Sequence, residues 1–118
     1  MIICIDGNDG TGKTTVIERL KVMLPQHIYQ DRGLPSAMTI GMKSEPADLY
    51  FILDAPWELC QQRLRNAGKD MTEHWYQEAT LKFYRQQFLS LAEHGYWTVI
   101  DATQPVEAVV EEIRRKIP

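Results

Sequence analysis

The 118-residue chain contains only two cysteines and three histidines, too few and too scattered for a disulfide framework or a histidine–cysteine metal cluster. Cys4 falls in an apolar run and Cys60 in a helix-forming stretch. Neither has metal or redox spacing, so both are expected to be reduced core thiols of a cytoplasmic protein (host cytoplasm if the source is viral). No apolar run approaches the ~20 residues that a membrane-spanning helix needs. No basic stretch leads into a signal-like apolar core at the start, so neither membrane partner nor leader is expected. Positive charge is also short. Thirteen basic residues against sixteen acidic ones give a formal net charge of −3, which announces no nucleic-acid or lipid surface. Internal repeats and low-complexity segments are missing. The remaining composition is that of a globular protein, small for an α/β fold but long enough for one domain with a core. A single domain over residues 1–118 is expected.

What the chain does have is concentrated near its start. Ile2 to Ile5 is a short unbroken apolar run, the pattern of a strand buried on both faces of a parallel sheet. Gly7, Asn8, Asp9, Gly10, Thr11, Gly12, Lys13 and Thr14 then fit G-x-x-x-x-G-K-S/T, the phosphate-binding loop, and a helix-forming stretch follows directly. Glycines at 7, 10 and 12 let the backbone turn and approach a phosphate without a Cβ in the way. Their N–H groups converge on an anion at a helix N-terminus. Lys13 brings a cation to the β- and γ-phosphates of ATP, Thr14 offers a hydroxyl to Mg²⁺, and Thr15 can donate to an α-phosphate.

Beyond the loop, strand and helix alternate. Helices are predicted over Thr14–Leu24, Leu34–Met42, Trp57–Ala67 (closed by Gly68) and from the capping-box spacing of Asp70 and Glu73 to about His94. A last amphipathic helix holds Val106, Val109, Val110 and Ile113, capped by Thr103, Gln104 and Pro105. Strands are predicted at His27–Gln30, Asp48–Asp54 and Tyr96–Asp101. Four strand–helix alternations imply a three-layer α/β fold with a small four-stranded parallel sheet and right-handed crossovers. Ligands should bind at the carboxyl ends of its strands. Asp6, Asp31, Asp54 and Asp101 all fall at or just past such ends.

These residues resemble the thymidylate kinase-like nucleotide kinases, a P-loop kinase family. Asp6 to Thr15 looks like that family's E-G-x-D-G-x-G-K-T-T loop with Asp6 in place of Glu. Asp31 and Arg32 look like its D-R pair, Ala47 to Pro56 like its P-D-L-x-x-x-L-D-x-P strand, and Arg63 follows at the family's spacing. Ile100 to Pro105 is similar to the loop that borders adenine, which makes Thr103, Gln104 and Pro105 nucleotide contacts. The resemblance implies a strand order of second-first-third-fourth, ATP and Mg²⁺ as cofactors, and a homodimer through one face of the long helix. It also implies that the segments carrying much of the acceptor pocket are shortened here, between the first helix and Asp31 and again after Arg63.

Roles follow from phosphoryl transfer, which needs charge neutralisation, alignment and a proton acceptor. Lys13 and Thr14 serve donor and metal. The resemblance makes Arg32 a clamp between donor and acceptor and Arg63 a transition-state cation; a surface ion pair with Asp31 is the plainer account of Arg32. Asp31 orients the acceptor or holds a metal-bound water, and Asp6 is a metal second-shell candidate. The resemblance makes Asp9 a contact of the acceptor's sugar hydroxyl; by its own chemistry it acts as general base or only shapes the turn. Arg65 and Lys69 near Arg63, and Trp75 and Tyr76 after them, are either a solvated helix end with core aromatics or a base-stacking surface. The expected activity is γ-phosphate transfer from ATP to a nucleotide-type acceptor. A shortened pocket leans this toward the hydroxyl of a 5-hydroxymethylpyrimidine in DNA, as in viral DNA hypermodification, although the acidic charge speaks against duplex binding. A free deoxynucleoside monophosphate, a non-catalytic nucleotide-binding module and a simple NTPase with Asp54 as its Walker-B carboxylate are the alternatives.

Overall fold

The computed structural model describes residues 1–31, 47–93 and 97–118. Four parallel strands lie in the order β2-β1-β3-β4: β1 (Ile2–Gly7), β2 (Ile28–Gln30), β3 (Leu49–Asp54) and β4 (Thr98–Asp101). That is the order expected from the sequence. The helices are α1 (Lys13–Met23), α2 (Trp57–Asn66), α3 (Glu78–Ala92) and α4 (Val106–Lys116), with a 3-10 turn at His74–Tyr76 before α3. The expected helix over 34–42 lies outside the described residues, as does Tyr96, the expected start of the last strand.

The two central strands explain the layering. Along β1, Ile3 and Ile5 point to one face and Cys4 to the other; along β3, Phe51 and Leu53 oppose Ile52, as the two-residue period of a strand requires. The Ile3 face is covered by Val16, Ile17 and Leu20 of α1 and by Val109, Val110 and Ile113 of α4. The Cys4 face packs on Phe88 of α3 and on Trp97. Both faces of β1 and β3 are therefore dry, which is why their sequences read as unbroken apolar runs rather than alternating ones.

The stretch from 70 to 94 departs from the expected single helix. Asp70 does not cap one. Its Oδ1 accepts from the Thr72 N–H at 3.0 Å and the Thr72 hydroxyl at 2.6 Å, a local turn that competes with helix. Gln77 is extended (φ −77°, ψ 152°), and its amide donates to the Met71 and Glu73 carbonyls at 2.8 and 3.1 Å. These bonds close residues 70–77 into a loop, and α3 starts afresh at Glu78. Its buried residues are Thr80, Leu81 and Phe88, whereas Trp75 before it and Phe83 on it are about half exposed. The last helix is capped at Pro105, the last of the three expected residues, and not by a side chain. The Thr103 hydroxyl is spent on Asp101 Oδ1 at 2.6 Å, and α4 opens on the Pro105 carbonyl, which accepts from the Ala108 and Val109 N–H groups.

Candidate phosphoryl-transfer site

The glycine loop is wedged between β3, α2 and α3, and its glycines are dictated by what they touch. A Cβ on Gly10 would lie 2.5–2.9 Å from the Cys60 backbone of α2, and Gly10 has φ +86°. Both facts exclude an L side chain. Asn8 is buried and donates its amide to the Leu81 carbonyl of α3 at 2.7 Å. The Thr11 hydroxyl donates to the Asn8 carbonyl at 2.7 Å. The loop's shape is therefore held by its neighbours as well as by its own turns.

Gly12, left-handed at φ 91°, is the N-cap of α1, and no side chain caps that helix or adds an acid to its first turn. The first-turn N–H groups thus face outward with the positive end of the helix dipole, the arrangement that binds phosphate. Lys13 Nζ donates to the Gly7 carbonyl at 3.3 Å and lies 3.1 Å from Asp31 Oδ1. Arg63, on the last turn of α2, donates to the Thr11 carbonyl at 3.4 Å. Two cations therefore flank the loop from opposite sides.

A cleft of about 450 Å³ opens over this arrangement. It gathers the expected residues Asn8, Asp9, Gly10, Gly12, Lys13, Thr14, Thr15 and Arg63 on its walls. Gly7 and Thr11 support the loop from behind. Asp31 reaches the site through Lys13. Asp6 is fully buried on β1, where its Oδ2 accepts from the Cys4 thiol at 3.4 Å. Arg32 lies outside the described residues. Thr103, Gln104 and Pro105 do not line the cleft; Gln104 donates to Glu112 at 3.0 Å, and the contribution from this end of the chain is Val106. Leu64, Ala67, Lys69, Tyr76 and Val106 complete the walls; Lys69 thus adds a third cation to the lining, and Arg65 is not part of it. Of these, Ala67 was recoverable from the helical spacing that puts it one turn from Arg63 on one face.

Two further contacts brace the site: the first escapes the sequence, and the second places a cysteine expected in the core. Asp54 is not an open carboxylate at the end of β3: Arg85 of α3 grips it with two hydrogen bonds of 2.8 and 3.1 Å. Those bonds push the guanidinium's affinity for its proton higher still. Cys60 sits beneath Gly10, and burial pushes its thiol up to about 11 against the partial relief of Arg63 and Arg85. It is a packing residue, not a nucleophile.

No group of three or more histidine, cysteine, aspartate or glutamate side chains among the described residues could hold a metal alone.

A nucleotide-sized cleft over a glycine loop, at the carboxyl edge of a β2-β1-β3-β4 parallel sheet, defines the P-loop kinase class. Residues 28–113 match the thymidylate kinase family. The chain belongs to that family and is a phosphotransferase of the kinase type. No curated protein sequence matches it. Among solved structures it is similar to deoxyadenosine kinase from M. mycoides with bound dATP, at a TM-score of 0.76 and 14% identity over 99% of each chain. The same enzyme with products dCMP and a flexible dCDP bound gives 0.78 and 16%, over 99% of this chain and 98% of that one. With bound dCTP it gives 0.76 and 13% at the same coverage. At such identities the likeness is one of fold. Among the described residues no helix is long and apolar enough to cross a membrane.

Proposed function

We propose that the chain transfers the γ-phosphate of Mg²⁺-ATP to a small deoxynucleoside-type acceptor, at the 5′-hydroxyl of a deoxynucleoside or at a phosphate oxygen of a deoxynucleoside monophosphate. The observation that carries this reading is the cleft itself, which brings the uncapped N-terminus of α1, Lys13, Thr14, Arg63 and Asp9 to one surface. Lys13 and the α1 N–H groups hold the donor's β- and γ-phosphates. When bound, Mg²⁺ would draw charge off the γ-phosphate, with Thr14 as its protein ligand and Asp31 or the buried Asp6 behind it. Arg63 neutralises the charge that develops on the transferred group. The acceptor oxygen forms a bond to the γ-phosphorus as the bond to the β-bridging oxygen breaks. Where the acceptor is a hydroxyl, its proton goes to Asp9 on the cleft wall or to Asp31 beside Lys13; a phosphate oxygen has none to give up. Arg32 is the clamp between donor and acceptor in this reading. The adenine border passes from Thr103–Pro105 to Val106, with Leu64 and Ala67 as the opposing apolar wall.

A small acceptor is preferred over a base in DNA. The net charge is −3, and the exposed cations Arg114 and Arg115 at the end of α4 share the carboxylate of Glu111; a duplex needs a basic stripe. The bound ligands of the deoxyadenosine kinase structures, dATP, dCTP, dCMP and dCDP, point the same way. The test offers γ-labelled ATP and Mg²⁺ with thymidine, deoxyadenosine, dTMP or duplex DNA bearing 5-hydroxymethyluracil. Label on a free nucleoside or nucleotide supports the proposal; label on the DNA alone restores the polymer reading. The half-exposed Trp75 and Phe83 are where a homodimer would form. Sedimentation of the Phe83→Ser variant against wild type checks that point.

A further inference from the structure

Tyr76 is held in place with unusual care for a residue in a loop. The C-terminus of α2 closes in a Schellman arrangement around Gly68 (φ +77°): the Gly68 N–H donates to the Arg65 carbonyl and the Lys69 N–H to the Leu64 carbonyl, both at 3.0 Å. This reverses the chain onto α2. The returning segment is then tied at its far end, where the Gln61 amide donates to the Tyr76 carbonyl at 2.8 Å. Within the segment, the Tyr76 N–H donates to the Glu73 carbonyl and the Gln77 amide spans two more carbonyls. Trp75 turns toward Tyr84, with ring centroids 6.1 Å apart. Tyr76 lines the cleft, half-buried, and among the described residues neither its ring nor its hydroxyl has an aromatic or hydrogen-bond partner.

The end of the cleft that Tyr76 occupies follows from two contacts. Val106 Cγ2 lies 3.8 Å from where a Cβ on Gly12 would stand, which puts the start of α4 beside Gly12. Gly10 abuts Cys60, and Gln61, the next residue, is the anchor of Tyr76. Val106 therefore marks the Gly12 end of the loop and Tyr76 the Asp9–Gly10 end. In a phosphate loop the α-phosphate lies toward the helix, where Thr15 is, and the γ-phosphate is reached by Lys13. The donor's adenosine leaves past Val106, so the acceptor enters past Asp9 and Tyr76.

We infer that Tyr76 is the acceptor-side selectivity residue, its ring forming a platform for the acceptor's heterocyclic base; this rests on the phosphoryl-transfer reading above. A flat, rigid, unpartnered ring on a tied loop offers stacking at little cost in ordering. Arg63, the neighbouring side chain, is occupied with the loop carbonyl.

Steady-state kinetics on wild type, Tyr76→Leu, Tyr76→Phe and Gln61→Leu test this, with thymidine, deoxyadenosine and dTMP as acceptors. Tyr76→Leu is expected to raise the acceptor KM about tenfold or more and to leave the ATP KM within about twofold of wild type. Tyr76→Phe should bring the acceptor KM back to within about threefold, since the ring is kept. Gln61→Leu, which frees the loop without touching the ring, should show the same split in smaller measure, and stands in if Tyr76→Leu does not fold. An ATP KM that rises as far as the acceptor KM, or two unmoved constants, overturns the inference. If wild type transfers label to none of the three acceptors, the proposed function fails for them. Calorimetry with protein loaded with β,γ-imido-ATP then decides on Tyr76 alone. Acceptor binding that Tyr76→Leu abolishes supports its role; binding that Tyr76→Leu leaves intact, or no binding by wild type, overturns it.

Discussion

Lys13 Nζ lies 3.1 Å from Asp31 Oδ1. The pair joins the phosphate loop to the end of β2, the neighbour of β1 in the sheet. In the proposed function Lys13 exchanges this contact for nucleotide phosphates, and Asp31 then faces a site whose charge has turned from positive to negative. Asp31→Asn is expected to lower kcat by about 100-fold and to change the ATP KM by less than about threefold. Steady-state kinetics with ATP and acceptor varied separately give the split. A rise in ATP KM with kcat preserved would make Asp31 a donor-side tether only.

The loop is braced by α2, and Gly10 is where the two meet. Gly10→Ala places a methyl group 2.5–2.9 Å from the Cys60 backbone in a left-handed conformation. Backbone cannot step aside as a flexible side chain would, so the variant is expected to lose at least about 2 kcal/mol of stability. It should also lose ATP binding, because the loop must open to admit the methyl group. Chemical denaturation and calorimetry with ATP measure the two effects. A variant of wild-type stability would mean that the loop and α2 are not in contact.

Arg85 and Asp54 are separated by 31 residues and meet through two hydrogen bonds. The guanidinium is 38% exposed and the carboxylate 20%, so solvent screens the pair only in part. A double-mutant cycle with Asp54→Asn and Arg85→Gln should give a coupling of about 1–2 kcal/mol. An additive cycle would reduce the pair to an exposed contact of no consequence.

Alkaline pH should weaken the fold through Cys60. Burial raises its thiol from 9.0 to about 11, so between those values the unfolded chain has released a proton that the folded chain retains. Stability therefore falls as pH rises from 9 toward 11, by roughly 2–3 kcal/mol at the limit. Tyr29, also raised by burial, adds to the same slope. Denaturant midpoints at pH 8 and pH 11 for wild type and Cys60→Ala check the sign. Equal slopes in the two proteins would show that Cys60 carries none of it.

The sheet and the phosphate loop were legible because their signals are local. Ile2 to Ile5 and Leu49 to Leu53 are apolar on both faces, the glycine spacing is contiguous, and strand order follows from crossover rules once the strands are known. The contacts that shape the site are of another kind. Asn8 reaches Leu81 across 73 residues, Arg85 reaches Asp54, and Gln61 reaches Tyr76; a polar side chain that meets its partner only in three dimensions leaves no period in the sequence. The break at Gln77 was hidden for the opposite reason. Asp70 and Glu73 have the spacing of a capping box, but Thr72, between them, offers Asp70 a closer partner. Thr103 was read as a cap and a nucleotide contact, and the same competition from Asp101 claims its hydroxyl.

The most direct test of the account is the initial rate of label transfer from γ-labelled Mg²⁺-ATP to thymidine, deoxyadenosine or dTMP by wild type and by Lys13→Ala. The polar partners of Lys13 among the described residues are Gly7 and Asp31, and neither belongs to the hydrophobic core, so the variant should stay folded, which its unfolding temperature checks. The account predicts transfer to at least one of these acceptors by wild type, and a fall of at least about 100-fold in Lys13→Ala. Equal rates in the two proteins, or no transfer by a wild-type protein that binds ATP, would contradict it.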